Sequence, residues 1–559
     1  MRRRREFLKA AAVVALVTVG AWGARADPEA VRAALARVPC AEVYPPTEAA
    51  QAKLFNYTTP LEKQMGELKL LGRIPHKRSA EVSESPLGIG FETLDRDTFD
   101  PKKTFPFLAE SGVKRARCQT GWMKCEKTVG IFDFAWLDEV VDGLAKIGIE
   151  TWLSVSFGHP HYTPCKKYAD QWDAAKASGK TVPGWARGWV GETPWYHGEE
   201  AMKGWRNYCK ALARHFKGRV RTWEVWNEPE WFWTHGGKAV GDEYGYARCA
   251  KDYAGFLRFT AKAIREEIPD AQISFNLAMP SSGWIHALAR EGIGDCVDIY
   301  NYHHYESTPE AHLREMIEQV RASFVRPDGR PVRIWQGESG RATGKSMLFA
   351  LPSQYAQAKF VARRVLADLH EGAEVSSVFT VTDFLCYYPD GRDQYYGLID
   401  ARADKPKLGF VTLQHLGWFC DGIRRSPCDY VSFSPCWGHE FRAMKDFSSV
   451  TVASFRRKGV PVFAWWQREH VEMTAPALFG TLRVNVAEGA EALRDPVLVD
   501  PVKGLVWDAS AYRQFEENSG NVKFYGFYAL DYPLLLTDLS AFDELVNSHF
   551  RAVADNPCF

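Results

Sequence analysis

Two glutamates are placed where a carboxylate could do chemistry, because each ends a short apolar run. The first lies in Val220–Glu230, VRTWEVWNEPE, where Val220, Trp223 and Val225 are apolar positions among Arg221, Thr222 and Glu224. Pro229 has no N–H to donate and cannot continue a strand, so the run ends at Asn227 and Glu228. The second lies in Pro331–Gly340, PVRIWQGESG, where Val332, Ile334 and Trp335 lead to Glu338 between Gly337 and Ser339. The stretch between them has room for about three β/α units. In a (β/α)8 barrel both carboxylates would stand on the face formed by the carboxyl-terminal strand ends, where such barrels carry their active sites. A lone Asn-Glu-Pro reads equally well as a loop cap or a surface ion pair; the second strand-end Glu is what gives the first its weight. A pair of carboxyl groups about 5–5.5 Å apart performs retaining glycoside hydrolysis. One attacks the anomeric carbon, and the other protonates the leaving oxygen and then activates water.

Positioning such a pair requires alternating strands and helices, and from Pro86 the pattern supplies them. Strands are expected at Leu87–Glu92, Val113–Cys118, Glu150–Phe157, at the Val220 run, and at Ala271–Leu277, Val297–Tyr302, Val332–Gln336 and Val375–Thr382. Helices are expected between them. Asp100-Pro101 opens one in cap-then-proline order and Gly112 ends it. Phe134–Ile147 is amphipathic, with Gly148 as its stop. Glu199–Phe216, Tyr246–Ile268, Trp284–Arg290, Pro309–Phe324, Gln354–Glu371 and Leu408–Cys420 complete the set. The expectation is an α/β fold, a (β/α)8 TIM barrel over residues 86–420. A doubly wound sheet is the alternative, but no Gly-rich phosphate turn follows the first strand. After Asp421 the pattern changes to short strands separated by turns, the signature of a β-sandwich over residues 421–559. Residues 27–85 form a preface, with short helices expected at Pro28–Val38, Thr47–Phe55 and Pro60–Leu71, packed by default on the barrel wall. Ala541–Val553 is expected as a terminal helix.

Long connections follow strands three, four and eight. Gly158–Gly198 carries Trp172, Trp185, Trp189 and Trp195, and Glu230–Glu243 carries Trp231, Trp233 and His235. Their aromatic content argues against disorder, and they read as walls of a sugar cleft, with Trp231 a candidate stacking residue.

With these residues in place, the chain resembles the clan A glycoside hydrolases, and among them family 39, the β-xylosidase and α-iduronidase family. The resemblance covers roughly residues 86–410. It implies an acid/base after an Asn at the end of strand four, matched by Asn227 and Glu228, and a nucleophile at the end of strand seven, matched by Glu338. It implies an Arg on strand two near the nucleophile, matched by Arg117 in VKRARC. Asp298–Tyr305, DIYNYHHY, matches the strand-six pattern, with His303 orienting the acid/base side and Tyr305 donating to the nucleophile. Arg117 and Tyr305 would keep Glu338 ionised, Glu228 would be protonated near neutral pH, and Asn227 would bind a sugar 2-hydroxyl. Two departures stand out. Many members place a Trp at the end of strand eight, whereas Val378–Phe384 reads VFTVTDF with only Phe379 and Phe384 nearby, and WQGESG differs from the usual family 39 wording. His159 and His161, in SFGHPHYTP, are expected to reach sugar hydroxyls; a metal held by histidines has no accompanying carboxylate signature. Asp383 reads as a sugar ligand or a loop cap. No metal or cofactor is implied.

Composition sets the boundaries. At 559 residues, 46% hydrophobic and 25% charged, the chain has ample material for a core. A net charge of +1 gives no argument for nucleic acid as a partner; the expected partner is a β-linked oligo- or polysaccharide. The opening RREFLK, the apolar run Ala10–Trp22 and Ala24-Arg25-Ala26 read as a twin-arginine export signal over residues 1–26. A periplasmic or secreted protein is expected, with no membrane span after signal removal. Twelve cysteines form no Cys-x-x-Cys pair; Cys428 with Cys436, or Cys118 with Cys125, are candidate disulfides, and most of the others read as buried thiols. The expected activity is a retaining β-glycosidase nearest a β-xylosidase. An endo-β-glucanase or mannanase, a non-catalytic sugar-binding barrel and a metal hydrolase are the alternatives.

Overall fold

Eight parallel strands close on themselves in chain order. They are β1 (Leu87–Phe91), β2 (Arg115–Gln119), β3 (Glu150–Val155), β4 (Thr222–Val225), β5 (Gln272–Leu277), β6 (Ile299–His303), β7 (Arg333–Ser339) and β8 (Val375–Val378). The computed structural model describes residues 68–542 except 233, 236–237, 279–280, 344–349, 352, 436–449, 469, 472–477, 487–492 and 516–520, with backbone alone at 231–246 and 350–351. The expected (β/α)8 barrel is therefore the architecture. Its strands are buried over nearly their whole length, as a sheet walled by helices requires.

The wall consists of α1 (Phe105–Ala109), α2 (Ala135–Lys146), α3 (Gly198–Phe216), α4 (Val240–Arg265), α5 (Ser282–Arg290), α6 (Leu313–Ser323), α7 (Gln354–Glu371) and α8 (Leu408–Phe419). Local chemistry starts several of them. Ser281 and Ser353 cap α5 and α7 with their hydroxyls. Asp100 caps as expected, but the turn it opens is the 3-10 segment Pro101–Lys103, and α1 follows as one short turn. Gly112 ends that turn at φ 72°, and a Cβ there would stand 2.6 Å from the Cα of Gly417. Two glycines thus let α1 and α8 meet backbone to backbone.

Inside the barrel, Trp152, Ile299, Trp335 and Val375 form one apolar cluster. Nearer the carboxyl-terminal strand ends the filling is polar, with Arg117, Glu224 and Asn301 all fully buried. Space for them comes from residues lacking a side chain: a Cβ on Gly337 would sit 2.0 Å from Asn301 Oδ1. The register of β6 against β7 pairs Gln336 with Tyr302 and, after an irregularity, Glu338 with His303.

The carboxyl-terminal strands are β9 (Ile423–Arg425), β10 (Tyr430–Pro435), β11 (Val450–Arg457), β12 (Val460–Gln467), β13 (Leu478–Asn485), β14 (Pro496–Asp500), β15 (Leu505–Asp508), β16 (Arg513–Phe515), β17 (Val522–Ala529) and β18 (Leu534–Asp538). They build two antiparallel sheets, β15-β14-β18-β12-β11-β9 and β10-β13-β17-β16, consistent with the expected β-sandwich. The larger sheet gains a seventh, edge strand from the amino-terminal side, Leu70–Arg73, paired with β15. This corrects the helix expected to run through Leu71: the segment's partner is a distant strand, not the barrel wall. The helices expected at Pro28–Val38 and Thr47–Phe55 lie outside the described residues, as do residues 1–26 and all but the start of Ala541–Val553. No helix among the described residues is long and apolar enough to cross a membrane.

Charged groups join sandwich to barrel. Lys359 of α7 donates to Asp531 at 2.6 Å with both side chains fully buried. Glu310 accepts from Arg363 at 2.7 and 2.9 Å and from the Trp466 indole at 2.6 Å. Arg457 lies 3.9 Å over the Trp418 ring and donates to the carbonyl of Ala541 at 2.6 Å. Removing one partner of a buried pair leaves an uncompensated charge. Lys359→Met should therefore cost about 3–5 kcal/mol in urea unfolding; the double variant with Asp531→Leu should recover most of that loss.

Candidate active site

Arg117, on β2, is fully buried and stands at the centre of the site. Its Nη1 donates to Glu338 Oε2 at 2.7 Å and to Glu92 Oε1 at 3.1 Å. Nη2 donates to Asn227 Oδ1 at 2.7 Å, and Nε and Nη2 both reach Glu224 Oε1. The carboxylates hold the guanidinium firmly protonated despite its burial. Asn301 of β6 donates to the other oxygen of Glu224.

Glu338, at the end of β7, receives a second donor: Tyr305 Oη at 2.8 Å. Burial and the neighbouring Glu228 push its carboxyl above the ordinary range, and Arg117 and the Tyr305 hydrogen bond pull against them. Tyr305 is itself set by aromatic neighbours, with Phe379 and Tyr396 centroids at 6.3 and 6.2 Å. Phe379 thus occupies the region beyond β8 where a Trp is absent, with Tyr396 beside it at 5.4 Å.

Glu228 sits beyond β4 in a left-handed turn. Trp226 has φ 67° and Glu228 φ 47°, a conformation that costs non-glycine residues free energy and must be held. Asn276 of β5 holds it from both sides. Its Oδ1 accepts from Glu228 N at 2.7 Å, and its Nδ2 donates to the Trp226 carbonyl at 2.9 Å. His303 Nδ1 lies 2.9 Å from Glu228 Oε1 and 3.6 Å from Glu338 Oε2. One carboxyl oxygen of each Glu and a His303 ring nitrogen all fall within 4.8 Å of one another. Burial raises Glu228 to about 7 and lowers His303 to about 4, so near neutral pH the imidazole is uncharged and Glu228 still binds a proton. Two carboxyls of one type thus stand in different surroundings. Glu338 has two donors turned toward it, while Glu228 has a neutral imidazole.

Glu228, Glu338, Asn227, Arg117, His303 and Tyr305 all converge in one cluster, as expected from the sequence. His159 does not join it. Its Nε2 is bonded to the Glu126 carbonyl at 2.7 Å and its Nδ1 accepts from His161 N at 3.1 Å. Its ring lies against Trp122. Both nitrogens have backbone partners, one beyond β2 and one in the loop after β3, away from the cluster expected to bind sugar. The side chain of Trp231 lies outside the described residues; its backbone is in the helical turn Pro229–Phe232. Asp383 is a loop clamp, its Oδ1 accepting from Lys407 at 2.7 Å and Gly397 N at 2.9 Å. The loop after β3 contains the helix Lys166–Ser178, and Trp189 is buried with Cys165, Tyr168 and Ala186 in a core of the loop's own. Cys118 and Cys125 are separate buried thiols, correcting their candidate pairing, and Cys436 lies outside the described residues. Sequence reasoning missed Glu92, Glu224, Asn276 and Tyr396. Glu92 and Glu224 carried a signal, a charge inside or just beyond an otherwise apolar strand.

Known proteins share parts of this design. Residues 95–239 match glycoside hydrolase family 42, described as beta-galactosidase. Over 111 residues the chain is 33% identical to the beta-galactosidase BbgII of Bifidobacterium bifidum, which covers 19% of this chain and 15% of that relative's length. A family 39 glycoside hydrolase from Bacteroides cellulosilyticus superposes with a TM-score of 0.57 at 15% identity, covering 83% of each chain. A family 39 beta-xylosidase from Caulobacter crescentus has a TM-score of 0.48 at 16% identity, covering 84% of this chain and 98% of that one.

Asn276→Ala would leave the Trp226 carbonyl and the Glu228 N–H without their partner. It should cost about 2–4 kcal/mol in urea unfolding. Glu228→Gln should act in the opposite direction and depend on pH. A carboxyl whose folded pKa is raised destabilises the fold as pH climbs from its unfolded value toward about 7. The variant's gain in melting temperature should therefore be larger at pH 8 than at pH 4.

The fold and the catalytic-face residues together make this chain resemble the clan A glycoside hydrolases, family 39 among them.

Proposed function

We propose that the chain is a retaining glycoside hydrolase that cleaves β-glycosidic bonds of oligo- or polysaccharides by double displacement. The observation that carries this reading is the carboxyl pair Glu228 and Glu338, with oxygens within 4.8 Å across His303. That separation leaves no room for a water between them and suits a covalent glycosyl-enzyme. In the first step Glu338 attacks the anomeric carbon and the protonated Glu228 gives its proton to the leaving oxygen. Esterification removes the charge of Glu338. Glu228, now a carboxylate, takes a proton from water, which attacks the anomeric carbon and releases Glu338. Asn227 accepts from Arg117 through Oδ1, so its Nδ2 is the group turned to a sugar hydroxyl. Arg117 and Tyr305 hold the nucleophile while the oxocarbenium-like state forms.

The β-xyloside is the first substrate of this proposal. The β-galactoside is the second, favoured by the family match over residues 95–239. The twin-arginine pattern at Arg4-Arg5 supports action outside the inner membrane.

The test is turnover of the chain from Asp27 on aryl β-xyloside, aryl β-galactoside and β-linked polysaccharides, beside Glu228→Gln and Glu338→Gln. Glu338→Gln should lose all measurable turnover. Glu228→Gln should lose about 10²–10⁴-fold on substrates with poor leaving groups. The wild-type kcat/KM should decline as pH rises through about 7, where Glu228 gives up its proton. An active wild type matched by both variants would overturn the carboxyl assignment. Inertness across the panel would overturn the substrate class.

A further inference from the structure

Glu92 is the first residue beyond β1 and is 1% exposed. Its Oε1 accepts from Arg117 Nη1 at 3.1 Å, the same nitrogen that donates to Glu338 at 2.7 Å. Its Oε2 has no hydrogen-bond partner among the described residues. That oxygen lies over Gly90, where a Cβ would stand 2.3 Å away, so the strand leaves a space that the carboxyl fills. The groups that face Glu92 are Arg117 and Cys118 from β2, Glu224 from β4 and Glu338 from β7, with Glu228 and His303 beyond them. The imidazole is uncharged near neutral pH.

One cation thus stands among three buried carboxyls, and such a cluster binds a proton rather than accumulate charge. The donors decide where the proton goes. Glu224 has Arg117 Nε and Nη2 on one oxygen and Asn301 on the other. Glu338 has Arg117 on one oxygen and Tyr305 on the other. Glu92 has the longer Nη1 bond on one oxygen and a bare second oxygen.

We propose that Glu92 is a positioning residue that keeps a proton throughout turnover, so that Arg117 stays committed to Glu338, and that its ionisation slows the second chemical step. The inference rests on reading Glu338 as the nucleophile. The Glu92 proton is not transferred in the reaction. When Glu92 is neutral, the guanidinium charge is shared between Glu224 and the departing Glu338 carboxylate. When it ionises, a second negative charge competes for Nη1 and disfavours release of Glu338 from the glycosyl ester. Burial is the main cause that raises the Glu92 carboxyl, to about 8, which places the change on the alkaline side of the Glu228 ionisation.

The direct test is infrared titration of protein labelled with 13C at the Glu side-chain carboxyls, in a Glu228→Gln background so that the acid/base is silent. The expected result is a protonated-carboxyl band that persists through neutral pH, bleaches near pH 8 and is missing from the variant that also carries Glu92→Gln. Bleaching complete by pH 6, or persistence of the band in the double variant, would overturn the proposal. Gly90→Ala, whose Cβ presses on the carboxyl without removing it, should move the bleaching midpoint. This readout needs no substrate, so it stands apart from any failure of the glycosidase reading. With an active wild type limited by the second step, kcat should fall by up to about tenfold per pH unit above pH 8, and Glu92→Gln should remove that fall. A residue that merely shaped the barrel would lower kcat equally at every pH, and that result would reject the positioning role.

Discussion

The constraint on which the rest of the site depends is a single guanidinium placed where a barrel usually packs branched aliphatic side chains. Arg117 is fully buried, and burial of a charge is tolerated only with excellent geometry and with its hydrogen-bonding groups satisfied. Its planar fork supplies that geometry: one edge serves Glu224, and the outer nitrogens serve Asn227, Glu92 and Glu338. A lysine could serve only part of that array. The interior is built around the fork. Glycines at 90 and 337 leave room for Glu92 and Asn301, and Asn301 in turn fixes Glu224. The nucleophile candidate is thus held by a polar network that reaches across strands β1, β2, β4, β6 and β7.

Glu228 is held by different means. Among the described residues no charged donor hydrogen-bonds its carboxyl. Its backbone is kept in the left-handed region by Asn276, and its carboxyl meets the neutral His303. Burial then acts with little opposition, and the proton is retained to about pH 7. Two glutamates a few ångströms apart thus meet different donors: Arg117 hydrogen-bonds Glu338 and not Glu228.

How much of this was legible beforehand follows from the range of each signal. Glu228 and Glu338 could be read because an apolar run that stops at a Pro or a Gly is local information. The barrel could be read because helical and strand periods alternate along the chain. Asn276 could not, since its importance lies in which strand stands opposite, and one polar residue on a strand looks like an ordinary alternate position. His159 misled for the same reason in reverse. Its neighbours in the sequence suggest a sugar-facing loop, while its hydrogen bonds turn it inward to Glu126 and His161. Leu70–Arg73 reads as part of a helix until its partner Leu505–Trp507, far along the chain, is known.

The helix α7 carries buried polar groups toward both the sandwich and the strand that bears His303. Asp531 binds Lys359 on α7. Further along the same helix, Arg364 and Asp368 pair with each other. Asp368 also accepts from Tyr302 of β6 and from Ser376 of β8, each at 2.6 Å. Arg364 reaches His304 at 3.0 Å. Tyr302 and His304 flank His303, so the position of α7 bears on the imidazole between the two glutamates. A barrel strand end tolerates little displacement when it aims a ring at one carboxyl 2.9 Å away with a second at 3.6 Å. The antiparallel sheets thus contact, through Asp531, the same helix whose Asp368 holds Tyr302 of β6.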